Sequence, residues 1–163
     1  MAVYFNNNVI LQQINNKLHA PGIVIQTVNT LNTAALQNAT TTPADYFTSN
    51  SITMTKSTNR LIIEWHVDLR TNDWGDGVWN LAYMDLIHVQ SGAQLAYTGY
   101  IGEYTNNIKH SHRSAVHTPG SVGPHSYKLR GWSYSALNTS FNGTGGWVGN
   151  DNQSYIRITE IGA

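Results

Sequence analysis

The sequence predicts an all-β protein, an antiparallel sandwich of jelly-roll or immunoglobulin-like type. Three observations carry that expectation. Several segments alternate apolar and polar residues with the two-residue period of a strand. Turn-forming Gly, Pro, Asn and Asp clusters separate them. The hydrophilicity comes from neutral residues: 18 Asn, 17 Thr and 12 Ser among 163 residues, against only 11% charged. Such a surface suits strands and loops better than helices.

The first 21 residues read differently from the rest. Val9, Ile10, Ile14 and Leu18 fall near helical spacing, Asn8 is placed to cap, and Pro21-Gly22 ends the segment. A helix of about ten residues is marginal alone. The segment is therefore expected as an N-terminal arm, a short helix or extended, that orders by docking on a partner. A single β-sandwich domain is expected over 22–163.

Within that domain, 22–30 is β-branched and strand-like, 32–43 is a Thr/Asn-rich loop, and 51–55 is a short strand. The clearest strand is 59–70, with Leu61, Ile63, Trp65, Val67 and Leu69 on one face and Glu64, His66, Asp68 and Arg70 on the other. Residues 78–90 are apolar on both faces, so that strand is expected to be covered twice, inside a sandwich or by a neighbouring subunit. Further strands are expected at 93–101, at 127–135 (Lys128, Arg130, Trp132 and Tyr134 on one face) and at 154–161. The total is seven or eight.

Composition also excludes functions. No cysteine means no disulfide, no thiol nucleophile and no cysteine–metal site. Nine basic residues balance nine acidic ones, which argues against nucleic-acid binding. No apolar run approaches the length of a membrane span, and no basic leader opens the chain. Neither a Gly-x-Ser-x-Gly elbow nor a phosphate-cradling glycine loop is present, so no enzyme activity and no cofactor are expected. The Asn-Asp-Trp-Gly-Asp-Gly run at 72–77 reads as a tight polar turn rather than a calcium loop.

Two groups of side chains stand out. His110 and His112, two apart, would share a strand face, with His117 and His125 following. No Asp or Glu between Glu103 and Asp151 completes a mixed ligand set, so no metal is expected, and His110 and His112 are the best candidates if there is one. Trp74, Trp132, Tyr134 and Trp147 are the aromatic candidates for ligand or partner contact.

Several segments together resemble a known family. Gly22-Ile-Val-Ile-Gln-Thr-Val-Asn-Thr30, Ser51-Ile-Thr-Met-Thr55, Lys56-Ser-Thr-Asn-Arg-Leu-Ile-Ile63, Ser126-Tyr-Lys-Leu-Arg130 and Ser154-Tyr-Ile-Arg-Ile-Thr-Glu-Ile-Gly-Ala163 are similar, in order and spacing, to virion β-sandwich proteins of tailed, cyanophage-like or marine bacteriophages. Met54 stands where that family has Pro, and Arg60 where it has Lys. The resemblance implies a jelly-roll-like, homotrimeric domain in the virion, assembled in the host cytoplasm, with no catalytic residues. Two roles follow. One is a capsid decoration (cement) protein whose arm, through Val9, Ile10, Ile14 and Leu18, docks on the major capsid protein. The other is a tail-fibre, adaptor or receptor-binding protein that recognises host glycans.

Overall fold

In a computed structural model, the described residues are 2–5, 8–14, 17–19, 21–34, 36–38, 40–71, 82–101, 108–133, 139–141 and 154–163. Their regular structure is entirely β. The strands run β1 (Ala2–Phe5), β2 (Asn8–Ile14), β3 (Lys17–His19), β4 (Val24–Asn32) and β5 (Leu36–Asn38). Then come β6 (Ala44–Thr48), β7 (Ile52–Thr53), β8 (Arg60–Thr71), β9 (Ala82–His88) and β10 (Gln94–Ile101). The last five are β11 (Ile108–His117), β12 (Pro124–His125), β13 (Tyr127–Ser133), β14 (Thr139–Phe141) and β15 (Ser154–Ile161).

Eight of these strands define the topology. One sheet orders β4-β15-β8-β11, extended by β14 and β5, and the other orders β10-β9-β13-β6; every pairing is antiparallel. Numbered along the chain, the eight lie as first-eighth-third-sixth in one sheet and second-seventh-fourth-fifth in the other. That is the strand order of a jelly roll.

The core lies between the two sheets. β8 sends in Leu61, Ile63, Trp65 and Val67, each at most 1% exposed. β15 adds Ile156 and Ile158, and the facing sheet adds Ala82, Met84, Leu86, Tyr127 and Leu129. Tyr46 on β6 bridges the sheets by a 2.9 Å hydrogen bond with the Ser154 hydroxyl of β15. Burial, outweighing that bond, pushes its phenol up to about 12.

Several expectations change. The first residues form strands in a separate three-stranded sheet, β1-β2-β3, so of the two courses left open for Val9, Ile10, Ile14 and Leu18, helix or extended, they take the extended one. Val9, Ile10 and Ile14 fall in β2, and Leu18 of β3 pairs in register with Gln13. The physical reason is that a helix this short cannot repay its nucleation, whereas β-branched residues readily take extended backbone. The seven or eight strands become fifteen among the described residues. β5, β6, β11, β12 and β14 were not anticipated. On β11 the inward positions include Ser111 and Ala115, too small and too polar to mark a strand by apolar alternation. β9 is buried along its whole length within one chain, so no sister subunit is needed to cover it.

One end of the sandwich closes around a carboxylate. Glu160 occupies an inward position on β15 and is fully buried. Its Oε1 accepts from the Thr55 backbone N–H (2.9 Å), the Thr55 hydroxyl (2.7 Å) and Asn59 Nδ2 (2.7 Å), and its Oε2 from Gln26 Nε2 (2.6 Å). Burial works to raise this carboxyl, yet the bonds from Asn59, Thr55 and Gln26 together hold it below its ordinary value. The amide of Asn59 also accepts from the Ala163 N–H, so the network ties β4, β15, the residues before β8 and the chain end together.

A second cluster joins His88 of β9, His117 of β11 and His125 of β12. His125 Nε2 meets the Ser121 carbonyl (3.2 Å), which can only accept, so that nitrogen carries the proton. The other ring nitrogen of His125 then accepts from His88 Nε2 (3.1 Å), and His88 Nδ1 accepts from the Ser91 hydroxyl (2.8 Å). His117 Nδ1 meets the Tyr127 hydroxyl at 2.9 Å, with its ring 4.6 Å from that of His88. Desolvation, reinforced by His117 and His125, lowers the His88 pKa from 6.5 to about 4; desolvation and His125 also lower that of His117.

Two predictions follow from these clusters. Glu160→Ala strands four donors in a buried site and lowers unfolding free energy by about 3 kcal/mol or more, read from urea midpoints at pH 7. Depressed histidine pKa values mean that the unfolded chain binds more protons than the native one below pH 6.5. Stability therefore falls between pH 6.5 and about 4, by about 3 kcal/mol from His88 alone. Glu160 adds its own loss at lower pH, as its native carboxyl titrates. His88→Gln, which cannot take up a proton, flattens the upper window, as urea melts at pH 7, 5 and 4 would show.

Candidate functional site

The jelly roll leaves two outer sheet faces, and each carries a distinct set of side chains. On the four-stranded sheet, β13 turns Lys128, Arg130 and Trp132 outward, in register with Ile87, Asp85 and Tyr83 of β9. Tyr97 of β10 lies opposite Asp85. The rings of Tyr83, Tyr97 and Trp132 meet pairwise: Tyr83–Trp132 at 5.4 Å and 21°, Tyr83–Tyr97 at 5.7 Å and 22°, Tyr97–Trp132 at 6.1 Å and 38°. Tyr83 is buried beneath its neighbours, Trp132 is partly exposed, and Tyr97 is 55% exposed.

Beside the rings, Asp85 is buried and uses both oxygens. Arg130 Nη2 donates to Oδ2 (2.5 Å) and Gln94 Nε2 to Oδ1 (3.2 Å). Lys128 Nζ donates to Asp45 (2.7 Å) at the next position along β13. An aromatic platform with a fixed guanidinium beside it can stack on flat apolar faces and hydrogen-bond at its rim, the chemistry of both sugar and protein recognition.

On the outer face of the larger sheet, His66 and Asp68 of β8 meet His110 of β11. His110 pairs with Asp68 in register, and His112 pairs with His66. Asp68 Oδ1 lies 2.9 Å from His66 Nε2 and 2.5 Å from His110 Nδ1. The His66 ring stacks on His110 (5.7 Å, 17°) and on Tyr155 (5.7 Å, 19°), and Arg157 lies over the Tyr155 ring at 5.5 Å. His112 contacts Tyr155 at 6.3 Å and does not join the group around Asp68.

Of the residues singled out from sequence, Trp132 sits on the aromatic platform and His110 in the histidine–aspartate cluster. Trp74, Tyr134 and Trp147 lie outside the described residues, and of Val9, Ile10, Ile14 and Leu18 the structure fixes the strand positions only. The partners missed are Tyr83 and Tyr97 for Trp132, and His66 and Asp68 for His110. The alternation of residues 59–70 had already placed His66 and Asp68 on one face; what was missing was the register that lays β11 beside them.

No family model matches this chain, and no curated protein matches it in sequence. Solved structures with a similar course of chain are particles of infectious bursal disease virus. The virus-derived T=1 particle has 14% identity and a TM-score of 0.45, over 85% of this chain and 36% of that one. The VP2 subviral particle has 15% identity and a TM-score of 0.43, over 85% and 37%. The Gx strain structure has 11% identity and a TM-score of 0.42, over 99% and 46%. This chain thus spans less than half the length of each.

Proposed function

We propose that the chain is a non-enzymatic structural protein of a virion, a homotrimeric capsid decoration protein that docks through its N-terminal residues and braces the major capsid protein. The observation that carries this reading is the separate sheet β1-β2-β3. Its strands are four, seven and three residues long, and among the described residues none pairs with the sandwich. A sheet of three short strands gains stability by burying an apolar face, and among the described residues it meets the sandwich chiefly where β3 comes beside β4. Val9, Ile10, Ile14 and Leu18 supply the apolar content for docking, and repetition over a capsid lattice turns modest single contacts into firm attachment.

A second reading has its own observation. The Tyr83–Tyr97–Trp132 platform would serve a tail or receptor-binding protein that recognises host glycans. Trp74, Tyr134 and Trp147 remain candidates for the same contact.

Deleting residues 2–19 should leave a folded sandwich with a melting temperature within a few degrees of the parent, yet abolish incorporation into particles. Incorporation at the parental level would sink the docking role. Quantitative mass spectrometry of purified virions should give a copy number on the scale of the major capsid protein; a tail-like copy number would favour the second reading. In that case Tyr97→Ala and Trp132→Ala would weaken host-cell adsorption about tenfold or more, a loss of about 1.4 kcal/mol in binding. On the capsid reading, adsorption is unchanged.

A further inference from the structure

We propose that His66, Asp68 and His110 form a binding site for one divalent transition-metal ion of the zinc type, on the outer face of the larger sheet. Nothing in the docking reading requires it. The three side chains offer two imidazole nitrogens and one carboxylate oxygen, all within 4.8 Å of one another. That is a borderline donor set with a single carboxylate, which suits zinc and its neighbours and disfavours calcium or magnesium.

Donor type distinguishes this cluster from the other buried carboxylates among the described residues. Asp85 takes a guanidinium and an amide, and Glu160 takes amide, hydroxyl and backbone N–H donors, none of them a ligand for a transition metal. At Asp68 both imidazoles aim at Oδ1, although the side chain is only 6% exposed. A cation between the three would take the place of the two ring nitrogens now crowded on one oxygen. Metal bonds of about 2.0–2.2 Å in tetrahedral array set ligand atoms about 3.3 Å apart. The contacts of 2.9 Å and 2.5 Å therefore need to open by less than about 1 Å, and the His110 ring, 67% exposed, is free to make that move.

The framework is otherwise rigid. β8 is paired on both sides, and the His66 ring is held between His110 and Tyr155. Three protein ligands leave at least one coordination position for water or an outside donor. His112, the neighbour in register, is turned to Tyr155 and is not a ligand.

The test is titration of the metal-stripped full chain with Zn²⁺ by calorimetry and with Co²⁺ by visible absorption. The expected result is one ion per chain, with cobalt bands of a four- or five-coordinate site. His110→Ala, an exposed position that leaves the fold intact, and His66→Gln should each weaken binding at least about tenfold. His112→Ala should bind as the parent does. Asp68→Asn should also lose the ion; if that variant misfolds, His110→Ala decides alone. Absence of stoichiometric binding, parental affinity in His110→Ala, or an equal loss in His112→Ala would overturn the site.

Discussion

Strand β8 is the element on which the rest depends. It pairs with β11 along Leu61–Arg70 on one side, and on the other with β15 along Arg60–His66 and with β14 along Leu69–Thr71, so it lies inside its sheet along most of its length. Its two-residue period does two jobs at once. The odd-numbered residues from Leu61 to Val67 fill the core, each at most 1% exposed, and the even-numbered ones hold Glu64, His66 and Asp68 on the outer face. A slip of one residue in register would exchange the two rows, expelling Trp65 and burying charges. Core and cluster are therefore fixed by the same constraint.

The parts legible in sequence were those where alternation is strong and one-sided. Residues 59–70 and 154–161 read as strands with nearly the observed bounds, and Lys128, Arg130 and Trp132 share the face expected of them. β11 escaped because its inward residues are small, so the period-2 signal had no apolar half. For the N-terminal residues the sequence leaves helix and extended backbone both open: four apolar residues fall at helical intervals, and local spacing cannot register hydrogen bonds that only a neighbouring strand supplies.

The candidate sites were less legible because they are made by pairing rather than by spacing. His110 lies 42 residues from Asp68 in sequence, and a search for carboxylates near the histidine in the chain could not reach it. Trp132 likewise meets Tyr83 and Tyr97 only across two strand boundaries. Glu160 is a third case. In the sequence it is a charge in an inward row, which reads as an exception to the strand pattern. In the fold, four donors from three residues in two segments make the same residue a fastening for one end of the sandwich.

Histidine shows how far environment outruns residue type. Around His88 the rings are packed against one another, their nitrogens paired in a chain of donors and acceptors that ends on the Ser121 carbonyl, and a proton added to His88 sits in a desolvated place near two other imidazoles. That cluster resists positive charge, and the fold weakens in acid because of it. Around Asp68 the rings face a buried carboxylate instead, and both aim a nitrogen at the same oxygen. The two clusters lie on adjoining strands and share β11, which contributes His117 to one and His110 to the other. Because seven residues separate those histidines along a strand of period two, they project to opposite faces: His117 toward Tyr127 and the sandwich interior, His110 toward the outer surface. One strand thereby supplies a proton-averse packing element on one side and, on the other, an imidazole of the proposed metal site.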